Sequence, residues 1–310
     1  KVLFKTFFHS WEWEEFLEKT FKWLKFERYL WNGQALLSLA RVKIRGKEKL
    51  VSHPFCEYGG LLPLVEKIDG LEFQKDIFEE FKTPLKISFH PYLLNYFQGY
   101  DVNQSQRETY LLEQIQSLDP DNIGDRNRRR AVETARGNGL TDEQCEKIDD
   151  LKTLYNFYVK SLKKHRALVY PFSFFEFFFQ NPNAEILLVK KAKKTVGGNV
   201  FLFYDKIVHS FLCGFDEKNK KLGAHSLVLW SEFKRKRQEG FKVFDFGATK
   251  KSSSLSDFKS RWGAKSYPIF ELKNYTGESK LKNSFLRDVW SWLPIFLIKK
   301  ISPRLLKYKL

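Results

Sequence analysis

An α/β fold is predicted by three stretches of this chain. The segment 222–239, LGAHSLVLWSEFKRKRQE, sets Leu222, Leu229, Trp230 and Phe233 on one apolar helical face, and Gly240 supplies its stop. The next residues, FKVFDFG at 241–247, are β-branched, aromatic and mostly apolar, the composition of a buried strand. Upstream, 184–215 reads as a meander of ILLVKK, VFLFYD and IVHSFLCGF with a turn at Gly197–Gly198. A chain of 310 residues, 43% hydrophobic and 17% aromatic, has material for one large core or two smaller ones and is not globally disordered. Its 31 phenylalanines predict a core built from rings.

Taken in order, SWEWEEFLEKTFKWLKFERYL at 10–30 predicts an amphipathic helix running into a first strand, and QALLSLARVKIRG at 34–46 a strand in a hairpin. LVSHPFCEYGGLLP at 50–63 ends that run with a tight turn at Gly59–Gly60. Helix is expected in parts of 64–82, strand at 85–89 (LKISF), a strand or edge segment around 93–102, and helix at 106–115 (QRETYLLEQI). The stretch 119–140 contains a break and then a basic helix with Arg126, Arg128, Arg129 and Arg130, fit for phosphate, acidic lipid or plain solvent. Thr141 is the expected cap of a long helix that carries Leu151, Leu154, Tyr155 and Tyr158 on one face and is followed by Lys163, Lys164, His165 and Arg166. Residues 172–179 read as an aromatic helix or core plug, and Ser252, Ser253, Ser254 and Ser256 as a loop and cap before a short basic helix at 257–262.

A formal charge of +17, from 54 Lys and Arg against 37 Asp and Glu, calls for an anionic partner: nucleic acid, a nucleotide-linked sugar or an anionic membrane. Cys56, Cys145 and Cys213 are too dispersed for a ribbon or redox pair and fit a reduced compartment. No HExxH, GxGxxG after a first strand, GxxxxGK[ST] or GxSxG occurs, so metal hydrolysis, dinucleotide binding, P-loop chemistry and a serine nucleophile have no motif support, and no metal site is expected. With no methionine and Lys1 first, the sequence reads as a trimmed one or as one from which modified methionines were left out; the latter compresses helix spacings, so local strings carry more than long-range counts.

The chemistry concentrates at 241–263, FKVFDFGATKKSSSLSDFKSRWG. Asp245 interrupts an apolar strand and must be exposed at the strand end, hydrogen-bonded or paired. Gly247 permits close backbone approach or an unusual dihedral. Lys250, Lys251, Lys259 and Arg261 gather cations near the same boundary. His53, Tyr58, Gly59 and Gly60 are candidates to line a pocket between domains, although Pro54 and the glycines also explain a plain turn.

The ordered set FDFG at 244–247, FKSRWG at 258–263, the helix at 222–240 and the SxPFxxYGG-type segment at 50–63 resembles the FemAB-like proteins of the GNAT acyltransferase superfamily, which include peptidoglycan bridge-forming aminoacyltransferases. The resemblance runs from about residue 20 to about residue 275. It implies two GNAT-like domains with mixed, mainly antiparallel central sheets flanked by helices, at 1–139 and, as the catalytic one, 140–276, with a basic amphipathic tail at 277–310. It implies attack of an acceptor amine on an activated acyl ester or thioester, with Lys259 binding a donor phosphate or the oxyanion, Asp245 orienting that lysine or taking a proton, and His225 a weaker base. Substrate binding is then expected from His53, Tyr58, Gly59, Gly60, Arg166, Gly247, Lys250 and Arg261. No permanently bound cofactor is expected; the donor is acyl-CoA or aminoacyl-tRNA. NKKLGAH at 219–225 offers only Gly223 and Ala224 toward the [RQ]xxGx[GA] motif of CoA-dependent relatives, which lowers the case for acetyl-CoA. The acceptor expected is an amine of a cell-envelope precursor or amino sugar, and the place cytoplasmic, peripheral at the inner face of the plasma membrane. The tail, with Trp290, Trp292 and Lys299, Lys300, Arg304, Lys307 and Lys309, suits a membrane interface or the protein's own surface. The competing class is a non-catalytic RNA- or membrane-binding module on the same scaffold.

Overall fold

Alternation along the strands decides the architecture. On one strand of the middle region Ile186 and Leu188 enter one apolar core while Leu187 and Val189 enter another, so the sheet is covered on both faces. The computed structural model describes residues 2–99, 103–275, 290 and 292–310.

The first half holds α1 (Trp11–Thr20), β1 (Leu24–Trp31), β2 (Ala35–Ile44), β3 (Lys47–Ser52), β4 (Leu61–Pro63), β5 (Ile68–Asp69), α2 (Gly70–Glu80), β6 (Leu85–Phe89), β7 (Phe97–Gln98), β8 (Asn103–Glu113) and α3 (Arg126–Gly137). The second holds β9 (Leu140–Gln144), α4 (Ile148–Lys164), α5 (Phe172–Gln180), β10 (Ala184–Lys191), β11 (Lys194–Tyr204), β12 (Ile207–Phe215), α6 (Glu217–Lys221), α7 (Ala224–Gln238), β13 (Val243–Lys250), α8 (Ser254–Ser260), β14 (Lys265–Lys273) and α9 (Ile295–Leu305). One mixed sheet runs β1-β2-β3-β6-β14-β8-β13-β12-β11-β10-β9, with β4 attached to β2. Its pairs are antiparallel except β3 with β6 and β12 with β13. Strands from either side of residue 139 alternate in its centre, since β8 lies between β13 and β14, and β14 continues to β6.

Four local expectations are corrected. Residues 106–115, expected as helix, lie mostly in β8: Thr109 and Leu111 point to one face and Tyr110 and Leu112 to the other, and the slot between β13 and β14 overrides the helix preference of Gln, Glu and Leu. The segment near 93–102 is mainly a 3-10 turn at Pro91–Tyr96 before β7, and residues 100–102 lie outside the described ones. Thr141 sits in β9, paired with Lys190, and the long helix starts only after Lys147. The meander turns at Ala192 and Lys193, both with positive φ (48° and 65°), while Gly197 and Gly198 lie inside β11. There a Cβ on Gly197 would meet the Phe215 ring at 2.1 Å and one on Gly198 the Leu187 carbonyl oxygen at 2.6 Å, so both glycines serve close approach.

The rings do build the core. Phe7, Phe8, Trp13, Phe174 and Phe178 are buried together under α1 and α5, with Trp13 stacked on Phe178 at 5.7 Å. The tail has two sides. Ile298, Ser302 and Leu306 are buried against the body, Trp290 Nε1 donates to the Ala167 carbonyl at 3.2 Å, and Ser302 Oγ donates to that of Val169 at 3.0 Å. Trp292 and Phe296 face solvent. The start of the expected tail, residues 277–289, and residue 291 lie outside the described residues, and no described helix is long and apolar enough to cross a membrane.

Candidate active site

Parallel strands β12 and β13 pair over three residues only, ending at His209 with Asp245, and then part. The cause is local. Gly247 has φ +74°, and the register against β8 shifts between Asp245 and Ala248. The opening is filled by the turn between β3 and β4, whose Glu57 and Tyr58 side chains reach it.

Asp245 is fully buried and ringed by donors. Thr109 Oγ1 and the Gly247 amide donate to it at 2.8 Å each, the Tyr204 hydroxyl at 3.4 Å, and the Tyr58 hydroxyl also donates. Burial, then the Glu57 charge, push its carboxyl well above the usual range, against the Gly247 amide and the Lys259 charge, which pull it down. Glu57 goes the other way: burial pushes it up, but the hydrogen bond from His209 Nε2 at 2.8 Å and the charges of His209, Lys259 and Arg107 prevail and hold it below its ordinary value. Two neighbouring carboxyls are thereby shifted in opposite directions. Arg107 Nη2 lies 3.7 Å from Glu57 Oε1 and donates to the Ala248 carbonyl at 3.4 Å.

Lys259 is buried, and its ammonium donates to the Gly247 carbonyl at 2.6 Å. Burial pulls its pKa below the ordinary lysine value, against Glu57 and Asp245, whose charges raise it. The α8 capping box, Ser253 with Ser256, fixes the helix that carries it. Gly247 is thus shared: its amide binds Asp245, its carbonyl binds Lys259, and a Cβ there would stand 2.7 Å from Glu57 Oε2.

Glu57 and Arg107 open onto a cavity of about 450 Å³ lined also by His53, Cys56, Lys86, Tyr170, Phe211, Lys309 and Leu310. Among the sequence candidates, the structure brings together Asp245, Gly247, Lys259 and Tyr58 around this wall. Gly59 and Gly60 hold the turn against β6: the Gly59 amide donates to the Ser88 carbonyl at 3.0 Å, and Gly60 (φ +88°) packs on Leu93 and Phe89. His53 is buried behind it, Nε2 lying 3.4 Å from Glu14 Oε1.

His225 is on the first turn of α7, stacked on Phe258 at 4.9 Å. Burial and the charges of Lys220, Lys259 and Arg128 push it down to about 3. The remaining candidates are not gathered at the cavity. Lys250 is exposed at the end of β13, Arg166 is exposed after α4, and Arg261 lies 3.4 Å from Asp125 beside a second cavity of about 580 Å³ that Trp262 and Gly263 line. Sequence reading missed Glu57, Arg107 and His209. Glu57 was visible as the lone acid inside SHPFCEYGG, and His209 as the polar member of an apolar strand; Arg107 had no signal, since its strand was read as helix.

Residues 124–260 match the acetyltransferase (GNAT) domain family. No curated protein matches the sequence. Among solved structures, FemX superposes with a TM-score of 0.63 at 15% identity, over 88% of this chain and 93% of that one. L-PGS from Bacillus licheniformis superposes at 0.60 and 13%, over 98% and 100%. The C-terminal (DUF2156) domain of a putative lysylphosphatidylglycerol synthetase from Agrobacterium fabrum does so at 0.58 and 13%, over 81% and 84%. At these identities the likeness is one of fold. Residues 124–260 thus match the GNAT acetyltransferase domain, and the chain as a whole shares the fold of the FemX and L-PGS structures.

Proposed function

We propose that this protein transfers an activated acyl or aminoacyl group to a primary amine of a cell-envelope precursor or saccharide. The observation that carries the reading is the charged Glu57, held by His209 on the wall of the cavity where β12 and β13 part, with the Lys259 ammonium fixed beside it by Gly247. The likeness in fold to FemX, to L-PGS and to a putative lysylphosphatidylglycerol synthetase supports an envelope target.

In this reading the acceptor amine, free of its first proton, attacks the acyl carbonyl carbon and a C–N bond forms. Lys259 stabilises the tetrahedral oxyanion. Glu57 takes the second amine proton and returns it to the leaving oxygen or sulfur as the ester or thioester bond breaks. Asp245 acts through Gly247, holding the turn that aims Lys259, and is a positioning residue. For the donor, α7 starts at Gly223 with no side-chain cap, and Lys218, Lys220 and Lys221 precede it, so phosphate meets both a helix N-terminus and cations. That suits acyl-CoA and aminoacyl-tRNA alike.

The test is an unbiased mass-spectrometric transfer assay with membrane and soluble extract, acyl-CoAs and charged tRNA, with and without ribonuclease. A new amide product is expected, and its loss with ribonuclease assigns tRNA as donor. Glu57→Gln and Lys259→Ala should each lower turnover on the order of 100-fold without unfolding the protein. Binding of RNA or lipid with no product in any mixture would replace this reading with a non-catalytic binding module.

A further inference from the structure

We infer that the outer face of α9 seats this protein on an anionic lipid bilayer. Within α9, Phe296, Lys300 and Arg304 recur at every fourth residue and are all exposed, so they line one face as a stripe, aromatic at its start and cationic at its end, and Trp292, also exposed, lies just ahead of it across Pro294. Trp292 is 86% and Phe296 67% exposed, the two most exposed large hydrophobic side chains among the described residues. Rings left in water at that level mark an interaction site.

The opposite face is already spent. Ile298, Ser302 and Leu306 are buried, and the Ser302 and Trp290 hydrogen bonds tie the segment to 167–169. The stripe is therefore presented on a fixed support. Half-buried Leu293, Ile295 and Leu297 flank the rings and add an aliphatic shoulder, which suits acyl chains and gives nothing to a stacked base. No acidic residue occurs in 292–310, and Lys299 and Lys307 add charge beside the stripe. Rings at headgroup depth with cations meeting lipid phosphate is the arrangement of an interfacial helix.

The same segment continues to Lys309 and Leu310, which line the cavity beside Glu57 and Arg107. Docking by α9 brings that cavity toward the bilayer and so favours a membrane-borne acceptor. This last step rests on the acyl-transfer reading; the docking itself does not.

The test uses the full chain and needs no turnover. The protein is sedimented with phosphatidylcholine vesicles and with phosphatidylcholine vesicles containing phosphatidylglycerol, at low and high salt. Binding is expected only to the anionic vesicles, weakened by salt. The double variant Trp292→Ser with Phe296→Ser, and separately Lys300→Glu with Arg304→Glu, should each weaken it on the order of tenfold or more, with the circular dichroism spectrum unchanged because these side chains are exposed. A blue shift of tryptophan fluorescence on binding, smaller in Trp292→Phe, is the second readout. Binding by both double variants equal to that of the parent, binding to neither vesicle, or a dimer broken by Trp292→Ser with no vesicle binding would each overturn the inference.

Discussion

At the scale of single residues, the site turns on two carboxyls driven apart. Because His209, Lys259 and Arg107 hold Glu57 below its ordinary value, Glu57 stays charged throughout neutral and mildly acidic solution. kcat/KM should therefore show no Glu57 inflection between about pH 5 and 7, rising instead as the acceptor amine loses its proton. His209→Asn removes the hydrogen bond and the imidazole charge and should raise the Glu57 pKa, adding a second acid inflection to the profile that the parent lacks; an unchanged profile would contradict the assignment. Asp245 titrates in the opposite sense. Its folded pKa lies above the unfolded one, so the folded state binds more protons in that window and stability falls as pH rises from the unfolded value, near 4, toward the folded value. Asp245→Asn, which mimics the acid, should flatten that slope in urea denaturation at successive pH values. Each unit of pKa difference corresponds to about 1.4 kcal/mol. A variant as pH-dependent as the parent would show that Asp245 is ionised in the folded protein.

Elements are set against one another by backbone approach at a few glycines. Gly223 begins α7 at φ +91°, and a Cβ there would lie 2.1 Å from the Ala131 carbonyl oxygen of α3. The partial GNAT-type motif around Gly223 thus has a packing reason as well. Gly223→Ala should cost about 2 kcal/mol or more, from the left-handed backbone and the forced separation of α3 and α7, measured as a lower urea midpoint. Gly247→Ala differs in its readout. The strained turn costs about 1–2 kcal/mol, but the new methyl displaces Glu57, so turnover should fall by more than the lost stability accounts for. Turnover in step with the folded fraction would deny Glu57 its role.

Over the whole molecule, the interleaved centre of the sheet governs behaviour. A chain starting at residue 124 keeps the matched GNAT domain but loses β8, leaving β13 and β14 with unpaired edges across an empty slot. That fragment should fail to fold on its own, whereas the full chain should unfold in one transition seen alike by tryptophan fluorescence and far-ultraviolet circular dichroism. A folded, monomeric fragment would show that the two halves are independent.

The sequence alone determined what local chemistry can encode. The α1-to-β1 order, the basic α3, the aromatic α5, the run from α7 into β13 and the capped α8 all follow from periodicity and caps. So do Gly247 as a special backbone position and Lys259 as a notable cation, because short-range signals suffice there. Tertiary structure alone decided the rest. β8 became a strand because a slot between two later strands completes its hydrogen bonds, a demand about 140 residues away that no local pattern records. Glu57 and His209 are 152 residues apart in sequence and meet only because parallel strands separate at Gly247. Their protonation is likewise collective, set by which charges and which buried walls the fold brings within reach.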